Sequence, residues 1–143
     1  MATRAQPKPK AAGAKYVPDR GHLIWLEFTP QAGREQAGHR PALVLSPRAY
    51  NAKTSLAIVV PITSAVKGFP FEALVPAGGK VGGAVLCDHV RSVDYVQRKA
   101  TLIEAAPASL LDEVTGKLAA LLQLDSSYSA FSSTASRGAG ATQ

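Results

Sequence analysis

The sequence predicts a mainly β fold with appended helical structure (α+β): a small antiparallel barrel or strongly bent sheet, followed by a C-terminal amphipathic helix. Three observations predict it. Five short runs rich in β-branched and aromatic residues are each bounded by Gly, Pro or Asn; one later stretch carries leucines at helical spacing; and 143 residues with 46% apolar content suit one domain with a modest core.

Taken in order, the runs are 22–28 (HLIWLEF), 42–46 (ALVLS), 56–60 (LAIVV), 69–75 (FPFEALV) and 83–88 (GAVLCD). Each has strand length, and their close spacing favours antiparallel neighbours over crossover helices. Gly78-Gly79-Lys80 lacks the spacing and the Ser or Thr of a phosphate loop, so it reads as a hairpin turn. In 107–124, Leu110, Leu111, Val114, Leu118, Leu121 and Leu122 gather on one helical face, which is expected to cover the sheet. Ser109 followed by Asp112 predicts a capping-box-like start. Gly116 weakens that helix by about 1 kcal/mol relative to Ala, so packing of the leucine face must hold it.

Charge is unevenly distributed. The formal net charge is +6, but residues 1–15 hold Arg4, Lys8, Lys10 and Lys15 without an acid, whereas 16–124 hold 11 basic and 9 acidic side chains. The basicity therefore sits mainly in a Pro-, Ala- and Lys-rich N-terminal segment, and overall charge cannot by itself argue for nucleic acid. Residues 1–15 are expected to form a disordered basic tail, 125–143 a flexible Ser/Ala/Gly-rich tail, and 16–124 the folded domain. The single cysteine, Cys87, excludes an internal disulfide and favours a reducing cytosol. No apolar run approaches membrane-spanning length, and no signal-like segment follows the N-terminal basic residues. A cytoplasmic protein is expected.

The informative polar stretch is 33–41, GREQAGHRP, which brings Arg34, Glu35, Gln36, His39 and Arg40 into a loop hinged by Gly33 and Gly38 and ended by Pro41. A residue before proline is pushed into extended backbone, which fixes how Arg40 leaves the loop at a strand mouth. Thr63, in Pro61-Ile62-Thr63-Ser64, emerges where the run 56–60 ends. A guanidinium beside a hydroxyl makes a phosphate site, since arginine offers a charged bidentate fork and threonine one more donor. The spacing alone leaves the plainer alternative open, in which Arg40 pairs with Glu35 on the surface and Thr63 closes a turn. Cys87 and His89 would share a face on a strand and make a nucleophilic dyad, but a buried structural thiol is the stronger expectation. The histidines lack metal-ligand spacing, so no metal and no cofactor are expected.

The order of YVPDRGHLIW, GREQAGHRPALVLSPRAYN, VVPIT, KGFPFE and GAVLCDHVRSVDY resembles that of the MazF/PemK toxins across nearly the whole of 16–124. The resemblance implies an SH3-like antiparallel β-barrel with appended helices, a homodimer, and an endoribonuclease that cuts single-stranded RNA (mRNA) at short sequences. It implies 2′-hydroxyl attack leaving a cyclic phosphate, so the protein needs no nucleophile of its own. By resemblance Arg40 and Thr63 match catalytic positions, and Glu35 is the preferred general base. His39, Arg34, Gln36, Ser64 and Lys67 are the expected RNA contacts. The partner implied is an acidic, largely disordered antitoxin of the MazE type. The alternative is a toxin of the same fold that binds and poisons DNA gyrase without catalysis. His22, Thr29 and the Cys87-Asp88-His89 stretch depart from the family pattern. Tyr50, Phe69 and Tyr95 are candidate base-stacking residues, with core or interface packing the stronger expectation.

Overall fold

The computed structural model describes residues 15–28 and 38–124; the two segments expected as tails, apart from Lys15, lie outside the described residues. Seven strands, β1 (His22–Phe28), β2 (Gly38–Val44), β3 (Leu56–Thr63), β4 (Glu72–Leu74), β5 (Ala84–Leu86), β6 (Arg91–Asp94) and β7 (Thr101–Ala105), form one antiparallel sheet. Two helices, α1 (Arg48–Thr54) and α2 (Ala108–Leu122), join it. The strand order is β4-β5-β3-β2-β1-β7, with β6 also paired to β3. The sheet follows the expected antiparallel β fold, in its bent-sheet form: no ladder closes this order into a complete barrel among the described residues. A side chain spans the gap instead: the Lys80 N–H, in the β4–β5 turn, donates to the Glu104 carboxylate of β7 at 2.8 Å.

Alternation along the strands sorts the apolar residues into two cores, one on each sheet face. Leu23, Leu43, Val60, Ile62 and Val85 meet Leu110 and Val114 of α2 on one face. Ile24, Leu26, Ala42, Val44, Ala57, Val59, Val93 and Tyr95 fill the other, here the inner face, the α2-covered one being the outer face. Continuous apolar runs such as LAIVV follow from this, because both faces of β3 are buried.

The sequence-derived runs match β1 at both ends and the start of β3, and the turn at 78–80 is where it was expected. Two elements, β2 and α2, differ from their expected form. Strand β2 begins at Gly38, four residues earlier than expected, so His39, Arg40 and Pro41 stand on a strand; β3 joins β2 only from Ala42, and one missing neighbour leaves room for a residue without an N–H. The helix α2 is capped by Pro107, whose carbonyl accepts from Leu110 at 3.0 Å, and no side chain caps it. Ser109 therefore lies in the first turn rather than at the cap, because Ala106 is already tied to the Gly21 carbonyl and hands the chain over one residue earlier. Only the first part of the leucine face covers the sheet: Leu110 and Val114 are buried, whereas Leu121 and Leu122 are exposed.

Helix α1 and strands β6 and β7 were not expected. The helix is held by a buried, fully used asparagine. The Asn51 amide donates to the carbonyls of Pro18 (2.8 Å) and Ser46 (3.0 Å), its side-chain oxygen accepts from the Ser46 hydroxyl (2.6 Å), and its backbone carbonyl accepts from Tyr95 (3.0 Å). A buried polar group with every partner present costs little and fixes one arrangement. Among the described residues no helix is long and apolar enough to cross a membrane.

Candidate active site at the forked end of the third strand

The sheet closes the 23-position separation of Arg40 and Thr63. The β2–β3 ladder runs from Val44↔Val59 to Ala42↔Pro61 and stops there. Carried on, the same register would set Arg40 across from Thr63; instead β3 turns to β5, pairing Thr63↔Ala84. The two residues thus stand on diverging strand ends. Alternation puts them on one face, since Arg40 is two residues before Ala42 and Thr63 two after Pro61.

Thr63 closes a turn, as the plainer sequence alternative held. Its hydroxyl oxygen accepts from the Ala65 N–H at 3.0 Å. That bond uses a lone pair and leaves the hydroxyl proton to be donated elsewhere. The strand end is fixed from behind by Gly83, whose φ of +113° suits glycine and where a methyl group would overlap the Thr63 carbonyl.

The adjoining loop, 64–71, carries the exposed Ser64 and Lys67. The buried Glu72 holds it: its carboxylate accepts from the N–H groups of Lys67 (3.1 Å) and Gly68 (2.8 Å). The Lys117 ammonium donates to the Pro70 carbonyl from α2. Phe69 is exposed and stacked on Phe71, with centroids 5.3 Å apart. Tyr95, by contrast, is buried and bonded to Asn51, so it belongs to the core. Sequence reasoning missed Glu72; the available signal was a lone acid inside the apolar run FPFEALV.

His39 does not join Arg40. Adjacent strand residues face opposite ways, and His39 sits on the outer face with its register partner Glu27, the Nε2–H donating to the carboxylate at 3.2 Å. Trp25 lies beside the imidazole, 6.0 Å between centroids. On the inner face, Arg40 lies over Phe28 at 5.7 Å from the ring centroid, accompanied by Arg98 at 4.7 Å and Arg91 at 6.0 Å. Neither arginine was singled out from the sequence, because their meeting depends on how the sheet curls. Arg34, Glu35, Gln36 and Thr29 lie outside the described residues.

The Cys87–His89 dyad is not formed. Both residues belong to a 3-10 turn, not a strand, and Cys87 is fully buried. Burial pushes its thiol up to about 11, the opposite of an activated nucleophile. His89 faces Asp88 instead, at 3.7 Å. His22 is also structural: its Nδ1 accepts from the Tyr16 hydroxyl (2.6 Å) and the Asp19 N–H (3.2 Å), with the Tyr16 ring stacked on it. Among the described residues no group of three His, Cys, Asp or Glu side chains is placed to hold a metal.

Comparison with known proteins places these features in a family. Residues 19–122 match the family model described as PemK-like, MazF-like toxin of type II toxin-antitoxin system. The endoribonuclease toxin MazF of Escherichia coli (strain K12) is 50% identical over 88 residues, 62% of this chain and 78% of the relative. The endoribonuclease PemK of Escherichia coli is 36% identical over 109 residues, covering 73% of this chain and 81% of the relative. Among solved structures, a MazE-MazF crystal structure from Deinococcus radiodurans superposes with a TM-score of 0.74 at 57% identity, covering 78% of this chain and 100% of that one.

Proposed function

The chain belongs to the PemK-like, MazF-like toxins of type II toxin–antitoxin systems, and on that premise we propose that it is an endoribonuclease cutting single-stranded mRNA at short sequences. The reading rests above all on Arg40 and Thr63 sharing one sheet face at the point where β2 and β3 part. The substrate supplies its own nucleophile. The ribose 2′-oxygen attacks phosphorus, the 5′-oxygen leaves, and the products are a cyclic phosphate and a 5′-hydroxyl. The protein must align the strand, stabilise negative charge and move protons.

Arg40 meets the charge that grows on the non-bridging oxygens, and Thr63 donates its remaining proton to one of them. Glu35 takes the 2′-hydroxyl proton, a task open to a carboxylate but not to an ordinary guanidinium. His39, engaged by Glu27 on the outer face, contacts RNA rather than the reacting phosphate. Ser64, Lys67, Arg34 and Gln36 complete the RNA contacts. Residues 16–124 form the toxin domain, which works in the cytoplasm as a homodimer and is neutralised by an acidic antitoxin of the MazE type. The relatives named endoribonuclease favour RNA cutting, and nothing favours gyrase poisoning.

The purified protein is expected to cut a long unstructured RNA in EDTA, and end-sequencing of the products should show a short common target. Intact RNA, or cutting that returns only with magnesium, would count against the reading. Deoxyribose at the target nucleotide should block the cut; cleavage of that substrate would rule out 2′-hydroxyl attack.

A further inference from the structure

Three guanidinium groups surround the Phe28 ring, and each comes from a different part of the chain. Arg40 is on β2, Arg91 opens β6, and Arg98 lies in the turn between β6 and β7. Their central carbons lie within 6.0 Å of one ring centroid, so no two are farther apart than about twice that distance. Register explains the convergence: Phe28, Arg40 and Arg91 stand two residues from Leu26, Ala42 and Val93 on their strands, and so share the face of the inner core. The aromatic face attracts cations and holds their planes in place.

No counter-charge accompanies them among the described residues. Among the described residues the salt bridges are His39–Glu27, His89–Asp88 and Lys117–Glu113, and none involves these arginines. Arg98 donates once to the Glu27 carbonyl at 3.3 Å; no hydrogen bond of Arg40 or Arg91 side chains is formed with a described residue. Gathering like charges costs free energy, which an ordinary surface offsets with carboxylates. Among the described residues these guanidiniums thus keep N–H donors without a protein acceptor, beside the proposed reacting phosphate.

We propose that Arg91 and Arg98 form a phosphate rail that grips the RNA backbone next to the bond being cut, with Phe28 as its floor. The proposal rests on the RNA-cutting reading and adds residues that position the strand. Arg40 acts on the reacting phosphate, while Arg91 and Arg98 bind its neighbours on the same strand.

The test separates binding from cutting. Affinity for a mixed-sequence 2′-O-methyl oligoribonucleotide, which lacks the attacking hydroxyl, is measured against salt for the parent, Arg91→Ala and Arg98→Ala. Each lost phosphate contact should make the slope of log affinity on log salt shallower by about 0.7. On cleavable RNA, KM should rise by about fivefold or more for each, exceeding any fall in kcat. Arg91→Gln and Arg98→Gln keep the stem and give the same readout where an alanine variant fails to fold. Slopes and KM equal to the parent's overturn the rail while cutting by the parent keeps the broader reading. A parent that binds the oligonucleotide through these arginines but cuts no RNA sinks the broader reading instead. Unchanged RNA binding with lost affinity for polyglutamate also overturns the rail, and assigns the cations to an acidic protein.

Discussion

The inner core has two ends, and they are treated in opposite ways. At one end Asn51, Ser46, Pro18 and Tyr95 form a network in which the polar side-chain groups of Ser46 and Asn51 meet a partner inside the protein. At the other, three guanidiniums crowd one ring without a carboxylate among the described residues. Saturation at one end specifies a shape; donors left over at the other are what a ligand needs. A fold can tolerate the second because it is anchored by the first.

The sharpest way to break the contrast is Arg40→Ala. Loss of one charge-stabilising donor should lower kcat by roughly 10²–10³-fold, with the thermal midpoint almost unchanged because Arg40 is exposed. Cutting at the parent rate would remove Arg40 from the site. Asn51→Ala is the mirror experiment. It abolishes three buried hydrogen bonds and should cost about 2–3 kcal/mol in urea unfolding, while the folded fraction cuts normally. A variant as stable as the parent would show the network to be idle.

Gly83→Ala should blur the two ends, since the added methyl must displace the Thr63 strand end. A kcat loss of about tenfold with a modest stability cost is expected, on the argument that small misplacements at a reacting centre are amplified. A stability loss with kcat intact would show that Thr63 is not placed by this packing. The smallest effect concerns pH and the α2-side core. Burial raises the Cys87 thiol to about 11, and the Tyr16 hydroxyl is raised as well. The unfolded chain therefore loses the thiol proton first as pH rises, so stability is full below the ordinary thiol range and declines toward pH 11. Urea midpoints should fall between pH 8 and 10.5, less steeply in Cys87→Ala; identical slopes would contradict it.

Legibility from sequence followed the strength of local signals. Strand β1 and the start of β3 could be read because their apolar runs are continuous, and Pro41 marked how Arg40 enters its strand. Strands β6 and β7 escaped because RSVD and TLIEA are short and mix charge with one to three apolar residues. Helix α1 escaped because its stabilising residue, Asn51, looks polar and is buried only through partners at Pro18, Ser46 and Tyr95. Arg40 and Thr63 were legible as strand-end residues. Phe28, Arg91 and Arg98 were not, since only the curl of the sheet brings them together. Glu27 was hidden for a related reason: its partner, His39, was taken for part of a loop.

The fork in β3 makes the chemistry depend on counting. Because this strand aligns with β6, β2 and β5 in turn, deleting or inserting one residue between Ser55 and Thr63 would rotate every later side chain to the other side of the sheet. A frame-preserving change of a single codon could then silence a toxin whose amino-acid kinds were all retained.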